Sequence, residues 1–228
     1  MTLSGVHHVA FISNDMKAQI EFYTEVCGMK LVAIFPMHGV EGATHCFIEV
    51  GKDTYMSFVQ IKGVNIEPIY GVSHPVDITN PVAGGAMQHI ALKLDSLEDM
   101  LAMRDRLRSH GYGVFGPFEH GMTQSMYLGA PEGMLLEFAT VDTCESVRTE
   151  EWVVSESAAA VGISKEELAR YVNPSAFDGK GGAIPQPGND ALIYPTPIPR
   201  PMFEQLGYLT DKELKQAFHF EKPAEVAE

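Results

Sequence analysis

The chain has 228 residues and a hydrophobic content of 45%, which predicts one large globular domain or one domain with an extension. Its formal net charge of -14 argues against binding to nucleic acid phosphates or to anionic membrane surfaces. The N-terminus lacks a signal-peptide pattern, and no apolar run approaches membrane-spanning length. Three cysteines in no metal-binding spacing predict free thiols and a cytoplasmic protein.

The first sixty residues predict a strand, a helix and three further strands. Residues 5–13 alternate between two faces, so that His8 and Ala10 point to the same side. A helix is predicted over residues 16–27, because apolar side chains recur at helical spacing and Gly28 can end it. Three strands are predicted next, over residues 30–36, 44–50 and 55–61.

The next part of the chain repeats this order after an irregular connection. Residues 62–85 contain several glycines and prolines, show no period and include His74. A strand over residues 87–94 carries His89 near its start, and a helix capped by Ser96 follows it. Further strands are predicted near residues 113–116, 125–129 and 134–140.

The sequence changes character after about residue 141. Two capping-box patterns predict short helices over residues 165–172 and 211–219. A proline-rich arm between them carries more apolar side chains than a solvated tail would. Residues 141–228 are therefore expected to form an extension that packs on the core or on a partner subunit, in a homo-oligomer that is a dimer or higher.

Two stretches of the chain align with each other without a gap. CFIEVGKDTYMSF, residues 46–58, matches MYLGAPEGMLLEF, residues 126–138, at an offset of 80 residues. His8 and His89 match at an offset of 81 residues. The chain therefore contains two copies of one unit, each with a strand that opens with histidine, a helix and further strands that end in a hairpin.

Glu137 is the residue that most needs an explanation. It lies in a mostly apolar run, where a carboxylate is costly to bury unless it is paired, hydrogen-bonded or bound to a metal ion. The matching residue in the first copy is Ser57. Packing of the two copies about an approximate twofold axis would bring Glu137 together with His8 and His89. Two imidazoles and one carboxylate with open coordination positions are typical of non-haem Fe(II) enzymes.

The paired units that begin with histidine and the final glutamate resemble the vicinal oxygen chelate superfamily. This superfamily includes glyoxalase I, epimerases, bleomycin-resistance proteins and extradiol dioxygenases, and the resemblance covers residues 5–140. It is strongest to the type I extradiol dioxygenases, whose signature prefers a small or β-branched residue where Phe118 stands. The positions that agree with that signature are His120, Met126, Tyr127, Ala130, Pro131, Gly133 and Glu137.

The resemblance implies an α+β fold and a metal site. Two βαβββ modules, about residues 5–61 and 86–140, would form one cupped mixed sheet around the metal, within a domain of residues 1–140. The resemblance implies that Fe(II) or Mn(II) is bound by His8, His89 and Glu137.

The resemblance also implies the residues that act on the substrate. His120 would be an acid/base group near bound oxygen and substrate, and Tyr127 would donate a hydrogen bond to a substrate oxygen. A further active-site group is implied as well. His74 has a suitable spacing from His89, whereas the repeat alignment favours Tyr55, and the sequence leaves this choice open.

The implied activity is cleavage of a catechol-like substrate by O2, as in the degradation of aromatic compounds. One alternative is a glyoxalase-type isomerase, lyase or epimerase that acts through an enediolate. That class commonly has a fourth ligand or a base where Ser57 stands, which lowers its odds. Another alternative is a binding protein that sequesters a small molecule, although sequestration does not require a metal triad.

Overall fold

The computed structural model describes residues 3–145, 147–177, 179, 181 and 184–221. Its strands are β1 (His8–Ile12), β2 (Lys30–Pro36), β3 (Ala43–Gly51), β4 (Thr54–Ile61), β5 (Ile90–Lys93), β6 (Phe115–Glu119), β7 (Gln124–Gly129) and β8 (Leu135–Thr140). Its α-helices are α1 (Met16–Glu21), α2 (Leu97–Ser109), α3 (Thr149–Trp152), α4 (Ser155–Ala160), α5 (Lys165–Val172), α6 (Arg200–Leu206) and α7 (Asp211–Ala217). A π-helical turn extends α1 over Phe22–Val26, and short 3₁₀ turns lie at Pro131–Gly133 and Asn189–Ala191.

Each βαβββ module forms its own four-stranded mixed sheet. The strand orders are β1-β4-β3-β2 and β5-β8-β7-β6. In each sheet the first strand of the module runs parallel to the last, and the remaining pairs are antiparallel. The expected α+β fold of two βαβββ modules is confirmed, with the eight strands hydrogen-bonded as two sheets of four.

The strand registers agree with the alignment of the two copies. In the first sheet Ser57 lies between Ala10 on β1 and Phe47 on β3. In the second sheet Glu137 lies between Ala91 on β5 and Tyr127 on β7. Because strand pairing fixes which side chains share a face, Ser57 and Glu137 occupy equivalent positions on equivalent faces.

One hydrophobic core is shared by the two modules. The rings of Phe22, after α1, and Tyr112, after α2, are 5.0 Å apart between centroids. Along β7, Met126 and Leu128 are buried in this core, so Tyr127 between them faces the opposite side of the sheet. Burial of each such large apolar side chain contributes about 1.5–3 kcal/mol. The side chains of the candidate site are thus placed on the sheet face that the core leaves open.

Contacts between distant segments also fasten the modules together. Glu132, in the hairpin between β7 and β8, accepts hydrogen bonds from the backbone N–H of Asn14 at 2.5 Å and from Nε2 of Gln19 at 2.7 Å. Burial raises the pKa of the Glu132 carboxyl, but hydrogen bonds from Gln19, Ser13 and Asn14 outweigh it and hold that pKa below its usual value. The ionised carboxylate is therefore the form that holds the start of α1.

The segment after β8 divides between two compact units. Ser4–Leu168 form one unit, which includes both modules, α3 and α4. The other unit contains the described residues from 169 onwards, together with Leu3. Trp152, at the end of α3, lies over Gly121, where an added Cβ would be 3.0 Å from the indole ring. The capping boxes predicted from the sequence are present, and α5 and α7 begin where they were expected. No helix in the described part of the chain is long and apolar enough to cross a membrane.

Candidate functional site

Glu137 and His89 form the centre of the candidate site. Glu137 is only 6% exposed, and its Oε2 is 2.8 Å from Nε2 of His89, which lies one residue before β5. The other ring nitrogen of His89, Nδ1, contacts the side-chain oxygen of Gln88. The buried carboxylate therefore has the polar partner that its apolar strand requires.

Tyr127 and His120 extend this pair along the open face of the second sheet. Tyr127 lies opposite Glu137 in the β7–β8 pairing, and its ring centroid is 6.0 Å from that of His89. Its hydroxyl is 3.2 Å from Nε2 of His120. Burial raises the pKa of the Tyr127 phenol, and the negative charge of Glu137 raises it further, so the hydroxyl keeps its proton at neutral pH.

A tight turn after β6 positions His120. The backbone N–H of His120 donates to the carbonyl oxygen of Thr123 at 2.8 Å. Gly121 follows with a φ of +79° beneath the ring of Trp152, so a side chain there would be both strained and crowded. The turn and the indole ring together hold His120 near the start of β7.

His8, the third expected metal ligand, is the first residue of β1. Its Nδ1 is 2.9 Å from Nδ1 of His7, and its ring centroid is 5.6 Å from that of Phe47. His8 shares its face of the strand with Ala10, and Ala10 lines a cavity together with His89. Within residues 3–145, 147–177, 179, 181 and 184–221, no group of three His, Cys, Asp or Glu side chains is placed to hold a metal ion. The structure therefore gathers two of the three expected ligands.

The two candidates for a further active-site group lie in different places. His74 lines a cavity of about 310 Å³ together with His89, and its Nδ1 is 2.9 Å from Oγ of Ser73. Tyr55 is paired with His8 in the first sheet, and its ring centroid is 5.4 Å from that of His7. Of these two residues, only His74 shares a described cavity with the His89 side of the site.

The spacing of His89 and Glu137 fits two ligands of one metal ion. Ligand atoms about 2.1 Å from a metal ion, and at right angles to each other, are about 3 Å apart. The 2.8 Å between Nε2 of His89 and Oε2 of Glu137 is close to that distance. One imidazole nitrogen and one carboxylate oxygen are also the donor types that divalent iron and manganese accept.

The sequence indicates only His74 in the connection between the modules as a candidate for the site, but other residues of that connection also border the site. A cavity of about 500 Å³ borders Tyr127, and one wall comes from the connection between the modules. That connection has no periodic pattern, so neither strand nor helix reasoning could assign its side chains to a site. The available signal was its apolar residues, which are more numerous than an exposed loop needs: Ile66, Ile69, Tyr70, Val72, Val76 and Ile78.

A family model for the glyoxalase/bleomycin resistance protein/dioxygenase superfamily matches residues 5–138. The chain belongs to this superfamily. Its membership confirms the resemblance found in the sequence, and the match spans both modules of the superfamily fold. Biphenyl-2,3-diol 1,2-dioxygenase 2 of Rhodococcus globerulus is 28% identical over 130 residues, which are 57% of this chain. The match spans only 59% of that relative's length.

Two solved structures are similar to part of this chain. A glyoxylase/bleomycin resistance protein/dioxygenase domain from Frankia sp. EAN1pec has 16% identity and a TM-score of 0.49, over 61% of this chain and 99% of that one. A fosfomycin resistance protein from Listeria monocytogenes has 14% identity and a TM-score of 0.41, over 60% of this chain and 91% of that one. Similarities of this size do not discriminate between activities.

Proposed function

We propose that this superfamily member is an Fe(II)-dependent dioxygenase that cleaves a catechol-like substrate with O2 in the extradiol manner. The observation that carries the proposal is the continuous series of contacts from His89 through Glu137 and Tyr127 to His120 on one sheet face. Superfamily members typically use a divalent metal ion. The similarity to a biphenyl-2,3-diol dioxygenase supports an aromatic diol as the substrate class.

In this proposal His89 and Glu137 hold the metal ion, with His8 as the third ligand. A bound divalent ion would supply Lewis acidity that makes the hydroxyls of a chelating diol easier to deprotonate. The contact between Nδ1 of His89 and Gln88 orients the imidazole so that Nε2 faces the carboxylate of Glu137. Mn(II) remains the second choice, because the same donor types accept both ions.

Tyr127 and His120 act on the substrate in this proposal. The phenol of Tyr127 keeps its proton, because its pKa is raised, and can therefore donate a hydrogen bond to a substrate oxygen. Nε2 of His120 lies within hydrogen-bonding distance of that phenol, which places the imidazole where it can exchange a proton with the substrate. His74, which lines a cavity with His89, is proposed as the further acid/base group.

The test is anaerobic reconstitution with Fe(II), followed by measurement of O2 uptake with a panel of substituted catechols. Uptake and ring-cleaved product are expected with at least one catechol. Glu137→Gln is expected to lose iron and uptake together, whereas Glu119→Gln, an exposed carboxylate at the end of β6, should retain both. A Glu137→Gln variant that keeps stoichiometric iron would remove the metal assignment.

The same experiment addresses the alternatives. Proton exchange on an α-hydroxycarbonyl compound, without O2 uptake on any catechol, would replace this proposal with a glyoxalase-type activity. Tight binding of a small molecule without turnover would favour the sequestering protein. The expectations of a cytoplasmic homo-oligomer that acts on a small molecule are kept as part of this proposal.

A further inference from the structure

The apolar cavity beside Tyr127 lies at the border of the candidate site, and no role has yet been assigned to it. Its volume is about 500 Å³. One wall comes from the connection between the modules, and the opposite wall comes from β6, β7 and the β7–β8 hairpin. The side chains that give it its character are Tyr70, Val76, Ile78, Phe115, Phe118 and Tyr127.

Several of these apolar side chains are exposed in a way that suggests a ligand. Phe115 is 70% exposed, Val76 is 63% exposed and Tyr70 is 57% exposed. Clustered exposed apolar residues around a concavity mark a binding site more often than single ones do. Cavities of about 300–1,000 Å³ accommodate organic ligands, and a dry apolar cavity of about 150 Å³ is enough for benzene.

The wall formed by the connection is fixed against the sheet. Gly133, in the β7–β8 hairpin, lies under Tyr70 so closely that an added Cβ would be 2.5 Å from the Tyr70 hydroxyl oxygen. Tyr70 also forms a β-bridge with His74. Segment 70–78 is thus held against the hairpin of the second module through Tyr70. The cavity between this segment and the facing strands is therefore already formed before a ligand binds.

A single fixed charge lies at this cavity. Asp77 is the one ionisable carboxylate, lysine or arginine side chain among the described residues that line it. Its Oδ1 accepts hydrogen bonds from the hydroxyl of Thr79 at 2.7 Å and from the backbone N–H of Thr79 at 2.8 Å, and Oδ2 accepts one from Asn80. These hydrogen bonds lower the pKa of Asp77, so the carboxylate is ionised at neutral pH.

We propose that this cavity selects the substrate, by accepting a neutral apolar substituent such as an aryl group and rejecting substituents that carry a carboxylate. The apolar walls favour a neutral apolar substituent, and the negative charge of Asp77 repels a carboxylate. That the ligand of this cavity is the substrate rests on the proposed function. The selectivity of the cavity does not depend on the proposed function, because the residues that produce it lie on segment 70–78 and the facing strands and are not the proposed metal ligands.

The test uses two probes of similar size that lack the adjacent hydroxyls of a catechol, 4-phenylphenol and 4-phenylbenzoate, with the metal-free chain of 228 residues in isothermal titration calorimetry. Saturable binding of 4-phenylphenol is expected, with 4-phenylbenzoate bound roughly five- to tenfold more weakly at low salt. Asp77→Asn should narrow that difference to about twofold or less. It should leave the binding of 4-phenylphenol unchanged.

A second variant tests the location. Ile78→Trp fills the cavity and should weaken the binding of 4-phenylphenol by roughly tenfold or more. Val64→Trp is the matched control, because Val64 lies in the same connection but does not line the cavity, and its binding should equal that of the original chain. The near-ultraviolet circular dichroism of both variants reports whether they remain folded.

Three results would overturn the proposal. The first is the absence of saturable 4-phenylphenol binding, and the second is equal affinity of the original chain for both probes. The third is an Ile78→Trp variant that changes only in its oligomeric state, which would show that the cavity surface contacts a second copy of the chain. Failure of the proposed function is recognised separately. Selective probe binding without O2 uptake on any diol would leave the pocket assigned and the dioxygenase reaction rejected.

Discussion

The open faces of the two modules carry different chemistry on equivalent backbone positions. In the second module, Glu137 and Tyr127 face each other across β8 and β7 and connect two histidines. In the first module, Ser57 and Phe47 occupy the matching pair. Phe47 lies among other rings, with centroids 5.6 Å from His8, 4.6 Å from His45 and 6.1 Å from Phe35. The repeated fold therefore supplies two similar sheets, and single side chains decide which of them carries a buried carboxylate paired with an imidazole.

The buried polar atoms of the two faces differ in whether they have a hydrogen-bond or ion-pair partner. The buried carboxylate of Glu137 is paired with His89, whereas the buried hydroxyl of Ser57 has no hydrogen-bond partner within the described part of the chain. Nε2 of His45 is buried and equally unpartnered there. Burial lowers the pKa of His45, and the charges of His8 and His38 lower it further, so the ring is neutral at neutral pH. The first face thus carries packed rings, whereas the second carries a buried carboxylate in contact with an imidazole.

Replacing Glu137 by the residue of the first module is expected to have the largest effect. Glu137→Ser removes a proposed metal ligand and places at this position the serine that the first module has at Ser57. We expect loss of bound iron and a fall in O2 uptake of at least about a thousandfold, because the metal supplies several kcal/mol of transition-state stabilisation. Iron content and uptake are measured on the same sample. Retention of both would break the comparison between the two faces.

Removal of His120 tests the acid/base role that we propose for it. His120→Ala is expected to lower kcat by about 100- to 1,000-fold while iron content stays unchanged, because a positioned acid/base group contributes about this much. The control is a histidine on the first face, and His45→Ala should leave kcat within about twofold. Equal losses in the two variants would show that the effect comes from packing and not from proton transfer.

The two hairpins of the repeat are expected to contribute differently to the free energy of unfolding. Glu132 holds the start of α1, whereas the residue that matches it in the first hairpin, Lys52, is exposed. Glu132→Gln is expected to lower the free energy of unfolding by about 1–2 kcal/mol at pH 7, and Lys52→Gln by less than about 0.5 kcal/mol. Urea unfolding monitored by circular dichroism measures both.

The contribution of Glu132 should depend on pH in one direction. Because its folded-state pKa is lowered, the stabilisation is fully present above the unfolded value of about 4.3. It should shrink as the pH falls below that value and disappear once the carboxyl is protonated in the folded state. The difference between the original chain and Glu132→Gln should therefore vanish in acid. A difference that grows below pH 4 would contradict the ion-assisted contact.

The smallest expected effect is at Ser57. Its hydroxyl is buried without a partner, so Ser57→Ala removes a desolvated polar group and should raise the free energy of unfolding by up to about 1 kcal/mol. Urea unfolding again provides the measurement. A loss of more than about 1 kcal/mol would show that this hydroxyl is bonded in solution, and that the first face is less different from the second than the structure indicates.

Much of the fold could be predicted from local patterns in the sequence. Three kinds of feature depend only on neighbours a few residues away. They are the apolar stripe of the helix before Gly28, the capping boxes at Ser164 and Thr210, and the hairpin that precedes Glu137. The repeat added long-range information, because two aligned copies must share one strand order. The assignment of His8, His89 and Glu137 to one metal ion stays a prediction, since the structure joins only the last two.

The sequence by itself determined the two βαβββ modules, their superfamily and the need for a partner at the buried Glu137 carboxylate. Only the tertiary structure decided that His8 turns toward His7, that Glu132 reaches Asn14, and that the connection between the modules walls a cavity beside Tyr127. The physical reason is the distance along the chain over which each kind of interaction acts. Periodicity, capping and turn chemistry act over a few residues and are written in the local sequence, whereas side-chain direction and cavity shape depend on which distant surfaces pack together.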